Sequence, residues 1–294
     1  MTNSNLQLID THAHLYMDDF IENLDKVIIK AKENNVNKIL MPNVDLNSVE
    51  PMLNISNQYV NTCYHMLGLH PCYIEYDYKT TIKKILSNVS NNTIAIGEIG
   101  IDLYHRNDNL KSQISALNIQ CEFAQENKLP IVLHTRKSID EPINVIRDYK
   151  LTGVFHCFDG TYEQALKIID LGFMIGIGGV ITFKNSKLSE IISRLSLKNL
   201  IIETDSPYLS PEPKRGKKNE PSNVKYVASK LSEILSIPME NVCNVTSENA
   251  INLFEAEKID LKEKFDSWFR EISEIFEIFE IFQILEILLA FDIS

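Results

Sequence analysis

Eight short apolar runs recur along this chain, with an amphipathic helical stretch between most of them. They are Leu6–Asp10, Lys38–Pro42, Cys63–Leu69, Thr93–Glu98, Ile131–His134, Val154–His156, Phe173–Ile177 and Leu200–Glu203. Between them, Leu24-Val27-Ile28-Ala31 and Ile114-Leu117-Cys121-Ala124 keep the three- and four-residue spacing of a helix with one buried face. Strands that alternate with helices pair in parallel, because each helix carries the chain back across the sheet. Eight such units in roughly 250 residues predict an α/β fold, a (β/α)8 TIM barrel. The other parallel arrangement is a doubly wound open sheet. It should carry a glycine-rich nucleotide loop after its first strand, and here that place holds His12-Ala13-His14.

The chain has 294 residues, 44% of them hydrophobic and 23% charged, enough to bury a full core. A net charge of −11 argues against a protein that wraps nucleic acid over its whole surface. Cys63, Cys72, Cys121, Cys157 and Cys243 are an odd number without a C-x-x-C pair. They read as reduced thiols in an intracellular compartment, the cytoplasm or the nucleus. No cleavable signal and no membrane span are expected.

Residues 1–260 are expected to form the catalytic barrel, and residues 261–294 a separate extension. That extension holds eight acids and three bases, a net charge of −5, which leaves −6 for the rest. Glu271, Glu274, Glu277, Glu280, Gln283 and Glu286 recur at or about every third residue, with apolar pairs between. This period fits neither the 3.6 of an α-helix nor the 2 of a strand. The expectation is a low-complexity, helical C-terminal appendage without catalytic part, through which copies of the chain could self-associate.

The residues suited to chemistry fall at the ends of the predicted strands. His12 and His14 follow the first; at i and i+2 of an extended chain both imidazoles point the same way. In Gly97-Glu98-Ile99-Gly100-Ile101-Asp102 a carboxylate ends a buried apolar run, which is costly unless it is paired or bound to a cation. His134 ends the fifth run and His156 the sixth, while Glu203 and Asp205 follow the eighth. In a barrel these ends ring one mouth. Singly, each histidine is equally a core residue bonded to a carbonyl, Glu98 a helix cap, and Asp205-Ser206-Pro207 a turn. Four of the seven histidines, however, sit at this one topological place. His70, in Gly68-Leu69-His70-Pro71, faces the same mouth and is expected to touch substrate. His65 and His105 read as structural or surface residues.

Four imidazoles and two carboxylates are too many donors for one tetrahedral ion and suit two adjacent ions, bridged by a carboxylate or by water. Imidazoles favour Zn²⁺, and carboxylates keep Mg²⁺ or Mn²⁺ open. Such a pair performs hydrolysis. For the substrate, Lys214-Arg215-Gly216-Lys217-Lys218 sets four cations between prolines after the eighth run. Arg215, Lys217 and Lys218 suit phosphate steering, although a solvated charge run looks the same. Arg136 adds a fork-shaped donor for phosphate.

In order along residues 6–255, Thr11-His12-Ala13-His14, Gly97-Glu98-Ile99-Gly100-Ile101-Asp102, His134-Thr135-Arg136, Phe155-His156-Cys157-Phe158, Glu203-Thr204-Asp205-Ser206-Pro207-Tyr208-Leu209 and Arg215-Gly216-Lys217-Lys218-Asn219-Glu220-Pro221 together resemble the TatD deoxyribonucleases. Asn249-Ala250-Ile251-Asn252-Leu253-Phe254 is similar to the last core helix of that family. The resemblance implies a TIM barrel with two divalent ions that cleaves DNA phosphodiesters, often from 3′ to 5′. It implies that His12, His14, Glu98 and Asp205 hold one ion. Glu98, His134 and His156 would hold the other, with Glu98 bridging. Asp205 and Glu98 would then be the catalytic residues, Asp205 orienting or deprotonating the nucleophile, with Asp102 and Glu203 supporting the ligands from behind. Residues 261–294 fall outside the family pattern. Two other readings stay open: a metal-dependent deacylase acting on aminoacyl-tRNA, or a small-molecule amidohydrolase, on the same barrel; and a catalytically idle nucleic-acid-binding protein with structural metals.

Overall fold

The computed structural model of the protein describes residues 7–254. The extension expected at 261–294 lies outside the described residues. Within them, β1 (Leu8–Asp10), β2 (Val36–Pro42), β3 (Cys63–Leu67), β4 (Thr93–Asp102), β5 (Ile131–Arg136), β6 (Gly153–Phe155), β7 (Met174–Ile177) and β8 (Leu200–Ile202) form one sheet in chain order. Every neighbouring pair is parallel. The seam between β8 and β1 is joined by backbone bonds: Thr11 N donates to Ile202 O at 3.2 Å, Asp205 N to His12 O at 2.9 Å, and His14 N to Ser206 O at 2.8 Å. Ala13 and Ser206 form a parallel bridge there. The barrel expected from the eight runs is the fold.

The helices between strands are α1 (Asp18–Ile21), α2 (Leu24–Glu33), α3 (Leu46–Gln58), α4 (Tyr78–Leu86), α5 (Leu110–Glu126), α6 (Asp140–Ile146), α7 (Tyr162–Asp170) and α8 (Leu188–Ile192), with α9 (Val224–Leu235) and α10 (Met239–Leu253) after β8. Their apolar stripes face the strands. Ile28 and Ala31 of α2, and Leu117, Cys121 and Ala124 of α5, are buried at the spacing the sequence shows. Asp45 starts α3 by accepting a bond from Ser48 N, and Thr161 starts α7 by accepting one from Gln164 N. All ten residues of β4 are buried, because barrel side chains cover one face of a strand and helices the other. No helix among the described residues is long and apolar enough to cross a membrane.

Strand boundaries differ from the sequence reading where the site lies. Glu98 does not end its strand: β4 continues to Asp102. Between Ile96 and Ile99 the register slips, so that three steps along β4 match two along β5, from Ile131 to Leu133. Such a bulge bends the strand and re-aims a side chain. It explains how a carboxylate inside a buried strand reaches the mouth. His134 also lies within its strand, whereas His12, His14, His156, Glu203 and Asp205 follow theirs.

Candidate metal centre

Glu98 sits at the centre of the mouth with its two oxygens turned to different partners. Oε2 lies 3.2 Å from His12 Nε2 and 3.8 Å from His14 Nε2. Asp205 Oδ1 completes that side, 3.4 Å from His14 Nε2 and 3.8 Å from His12 Nε2. Oε1 lies 2.9 Å from His134 Nδ1 and 3.0 Å from His156 Nε2. His12 and His156 stack face to face, with ring centroids 3.8 Å apart, and so join the two sides. The structure therefore brings together all six residues His12, His14, Glu98, His134, His156 and Asp205.

Local backbone explains the close approach. Gly100 has φ +140°, and a Cβ there would stand 2.1 Å from the carbonyl oxygen of His134. Only glycine lets β4 and β5 meet so closely. Asp205 itself takes a left-handed conformation, φ 56°, as the chain turns out of β8.

Other carboxylates back the imidazoles. Asp102 Oδ2 lies 3.0 Å from His134 Nε2. Glu203 Oε1 lies 3.4 Å from His156 Nδ1 and accepts from Cys157 N at 2.5 Å. Glu203 and Asp205 thus part company, one behind His156 and the other beside His14. Asp10, which the sequence reading passed over, accepts from Thr204 N at 2.8 Å and Thr204 Oγ1 at 2.6 Å. Burial pushes its pKa up to about 8.

The electrostatics call for positive charge. Burial opposes ionisation of Glu98, but the rings of His156, His70 and His12 outweigh it and hold its pKa well below the usual carboxylate range. Asp205 is lowered too, burial being outweighed by its bond to His14 and the nearby imidazoles. Burial disfavours a charged His156, yet Glu98 pulls it well above the ordinary imidazole range. His134 is likewise raised against burial, by Asp102 and Glu98. Positive charge beside these carboxylates is thus stabilising at His134 and His156, although burial lowers the pKa of His12.

A divalent ion would do the same with the same atoms. For donor bonds of about 2.1 Å, tetrahedral donors stand roughly 3.4 Å apart. The separations of 3.2 to 3.8 Å from His12 and His14 to Glu98 and to Asp205 bracket that edge, and the donors of His12, His14 and Asp205 all lie within 4.8 Å of one another. The donor set fits a metal ion, and Glu98 has an oxygen for a second.

The mouth opens into a cavity of about 970 Å³, lined by His14, His70, Arg136, Asp205, Tyr208 and others. His70 Nδ1 accepts a bond from Cys72 N at 3.1 Å, so Nε2 carries the ring hydrogen, 3.5 Å from Glu98 Oε1. Burial lowers the His70 pKa to about 4, and the ring is neutral. Arg136 reaches the cavity rim, its guanidinium carbon 4.5 Å from the centre of the Tyr104 ring.

The cavity wall also takes in residues outside the six donors. His105, expected as structural or surface, is half-exposed and holds Asp102 Oδ2 through Nδ1 at 2.9 Å, and it also lines the cavity. Cys72, Arg106 and Tyr73 also line it and were not singled out. They are single loop residues, and no spacing marks them. His65 is structural as expected: its Nδ1 is 2.8 Å from Ser56 Oγ and its Nε2 3.1 Å from Thr93 Oγ1.

Arg215, Lys217 and Lys218 do not line the mouth cavity. Lys217 and Lys218 border a separate cleft of about 400 Å³ with Lys30 and Lys214. Lys218 pairs with Asp19 at 3.3 Å. The Arg215 guanidinium carbon lies 3.7 Å from the centre of the Phe183 ring.

Comparison with known proteins gives a consistent result. Residues 9–255 match the model of the family described as TatD related DNase. An uncharacterized metal-dependent hydrolase of Buchnera aphidicola is 34% identical over 261 residues, covering 84% of this chain and 98% of that protein. The uncharacterized metal-dependent hydrolase YabD of Bacillus subtilis is 34% identical over 256 residues, with 84% and 98% covered. The crystal structure of YjjV, a TatD homologue from Escherichia coli K12, superposes with a TM-score of 0.81 at 28% identity, covering 85% of this chain and 99% of that one.

Proposed function

This chain belongs to the TatD related DNase family, and from that premise we propose that it is a metal-dependent hydrolase that cleaves DNA phosphodiester bonds from the 3′ end. The observation that carries the reading is the division of Glu98 between two donor sets: Oε2 toward His12, His14 and Asp205, and Oε1 toward His134 and His156. On this reading His12, His14, Asp205 and Glu98 hold one divalent ion, and Glu98, His134 and His156 the other. When bound, such a pair stabilises charge on a phosphoryl oxygen and acidifies water towards neutral pH.

The chain's own residues supply the rest. Asp205 is 14% exposed toward the cavity and held ionised, placed to orient a water molecule and take its proton. His70, neutral with hydrogen on Nε2, lines the cavity with that donor turned toward Glu98 Oε1 at 3.5 Å, where a substrate oxygen would compete for it. Arg136 presents its guanidinium group to a phosphate chain at the rim, whereas Arg106 is paired with Glu75 at 3.1 Å and Asp108 at 3.5 Å. Asp102 holds His134 in orientation through Nε2, and Glu203 stands 3.4 Å from His156 Nδ1.

The test is an assay of the chelated protein, reloaded separately with Mg²⁺, Mn²⁺ or Zn²⁺, on single- and double-stranded DNA labelled at either end. Chelation should abolish cleavage and reloading restore it, with mononucleotides released from the 3′ end. A reloaded protein that leaves DNA intact, or that hydrolyses aminoacyl-tRNA or an amide instead, overturns the reading.

A further inference from the structure

A second set of donors converges in the same mouth, on the outer side of Asp102. Cys72 lies in a single 3-10 turn, Pro71–Tyr73, after β3. Asp102 ends β4, and His105 follows three residues later. Their ligating atoms all lie within 4.8 Å of one another. Asp102 Oδ2 stands 2.9 Å from His105 Nδ1 and 3.5 Å from Cys72 Sγ. For Zn–N and Zn–O bonds of about 2.1 Å and a Zn–S bond of about 2.3 Å, the donor separations are roughly 3.4 to 3.6 Å.

The two loops that carry these side chains are fastened to each other. Arg106 Nη1 donates to the Cys72 carbonyl at 3.3 Å, and Asn109 Nδ2 to the Ile74 carbonyl at 3.1 Å. Gln113 of α5 grips the Asp102 backbone from both sides, accepting from its N–H at 2.8 Å and donating to its carbonyl at 3.1 Å. Cys72, Asp102 and His105 all face the cavity. A cation entering the mouth would therefore meet three donors of different chemistry already in place.

We propose that Cys72, Asp102 and His105 form a further metal site, separate from the Glu98 centre, for a thiophilic divalent ion of the zinc class. A sulfur donor beside an imidazole selects Zn²⁺ over Mg²⁺ or Mn²⁺. Three protein donors leave a coordination position open toward the cavity, unlike a closed structural site. On binding, the Cys72 S–H bond breaks, a sulfur–metal bond forms, and the proton passes to solvent. Asp102 Oδ2 is also 3.0 Å from His134 Nε2, so this site and the Glu98 centre share an atom of support. Neither the fold nor the two-ion reading requires it.

The test is titration of the metal-free, full-length protein with Co²⁺ alone, followed by near-ultraviolet absorption from sulfur-to-cobalt charge transfer. The wild type should show that band. Cys72→Ser should lose it together with one equivalent of bound Co²⁺, and Cys157→Ser should keep it. His105→Gln should weaken the same equivalent by about ten-fold or more. Zn²⁺ should displace the band and Mg²⁺ should not. Glu98→Gln should retain it, so failure of this site and failure of the Glu98 centre read separately. A wild type without the band, a band that survives in Cys72→Ser, or one lost only in Cys157→Ser overturns the proposal.

Discussion

Asp102 and His134 meet through Oδ2 and Nε2 at 3.0 Å, at the ring nitrogen that does not face Glu98. The imidazole is thus held between two carboxylates, which sets its plane and leaves Nδ1 aimed at the centre of the mouth. Asp102→Asn removes the charge and leaves one acceptor oxygen, which serves the N–H groups of Tyr104 and His105 on the Oδ1 side and puts an amide donor in place of the Oδ2 that faces His134. The expected result is a loss of about 10- to 100-fold in metal affinity and kcat/KM. Thermal stability of the metal-free protein should change little. A variant that loses stability but binds metal like the wild type would reduce Asp102 to a loop anchor.

Glu98→Gln preserves volume and removes the charge that the two donor sets share. The variant should lose at least one metal equivalent, and kcat on DNA should fall on the order of 10³-fold, about 4 kcal/mol of transition-state stabilisation. Metal analysis and single-turnover cleavage check both. His65→Gln is the control. Its bonds to Ser56 and Thr93 belong to the scaffold, so it should cleave DNA normally. A Glu98→Gln protein with two ions and wild-type rate would sink the bridging role.

The pH dependence of stability has an identifiable contributor in His65. Burial holds its pKa at about 4, below the ordinary 6.5. The unfolded chain therefore takes up the proton first as pH falls. The contribution is intact above pH 6.5 and is lost progressively down to about pH 4, amounting to about 3 kcal/mol. Urea unfolding across that range should show a shallower decline in His65→Gln than in the wild type. Identical slopes would show that another group carries the effect.

Arg136 and the basic loop occupy different places, and their substitution should separate. Arg136→Ala should raise KM for DNA and reduce the salt slope of binding by about one. The triple Arg215→Ala, Lys217→Ala, Lys218→Ala variant should raise KM less and leave kcat unchanged, because those side chains border the cleft beside Asp19 or cover Phe183. A larger KM effect from the triple variant would place DNA across that cleft.

Much of the site was legible because barrel topology converts strand order into proximity. Reading eight apolar runs was enough to bring His12, Glu98, His134, His156 and Asp205 to one end. What the runs could not convey was the bulge between Ile96 and Ile99, since a local register slip leaves no periodic trace. For the same reason Glu98 looked like the end of a strand that continues to Asp102. Cys72, His105 and Arg106 escaped because loop residues reach a site by the path of the loop. The basic run was visible as charge, but its direction depends on contacts with Phe183 and Asp19, more than thirty residues away in the chain.

The seam that closes the barrel also orders events during synthesis. His12 and His14 are made early, but Asp205 reaches them only when the chain after β8 docks against the chain after β1 through Asp205 N and His12 O. That pairing joins residues far apart in the described polypeptide, a contact of high sequence separation. Glu98, His134 and His156 come instead from β4 to β6 and the residue after it, a continuous middle stretch. Closure of the ring and assembly of the His12, His14 and Asp205 side of the mouth are therefore one event, held by the same backbone bonds.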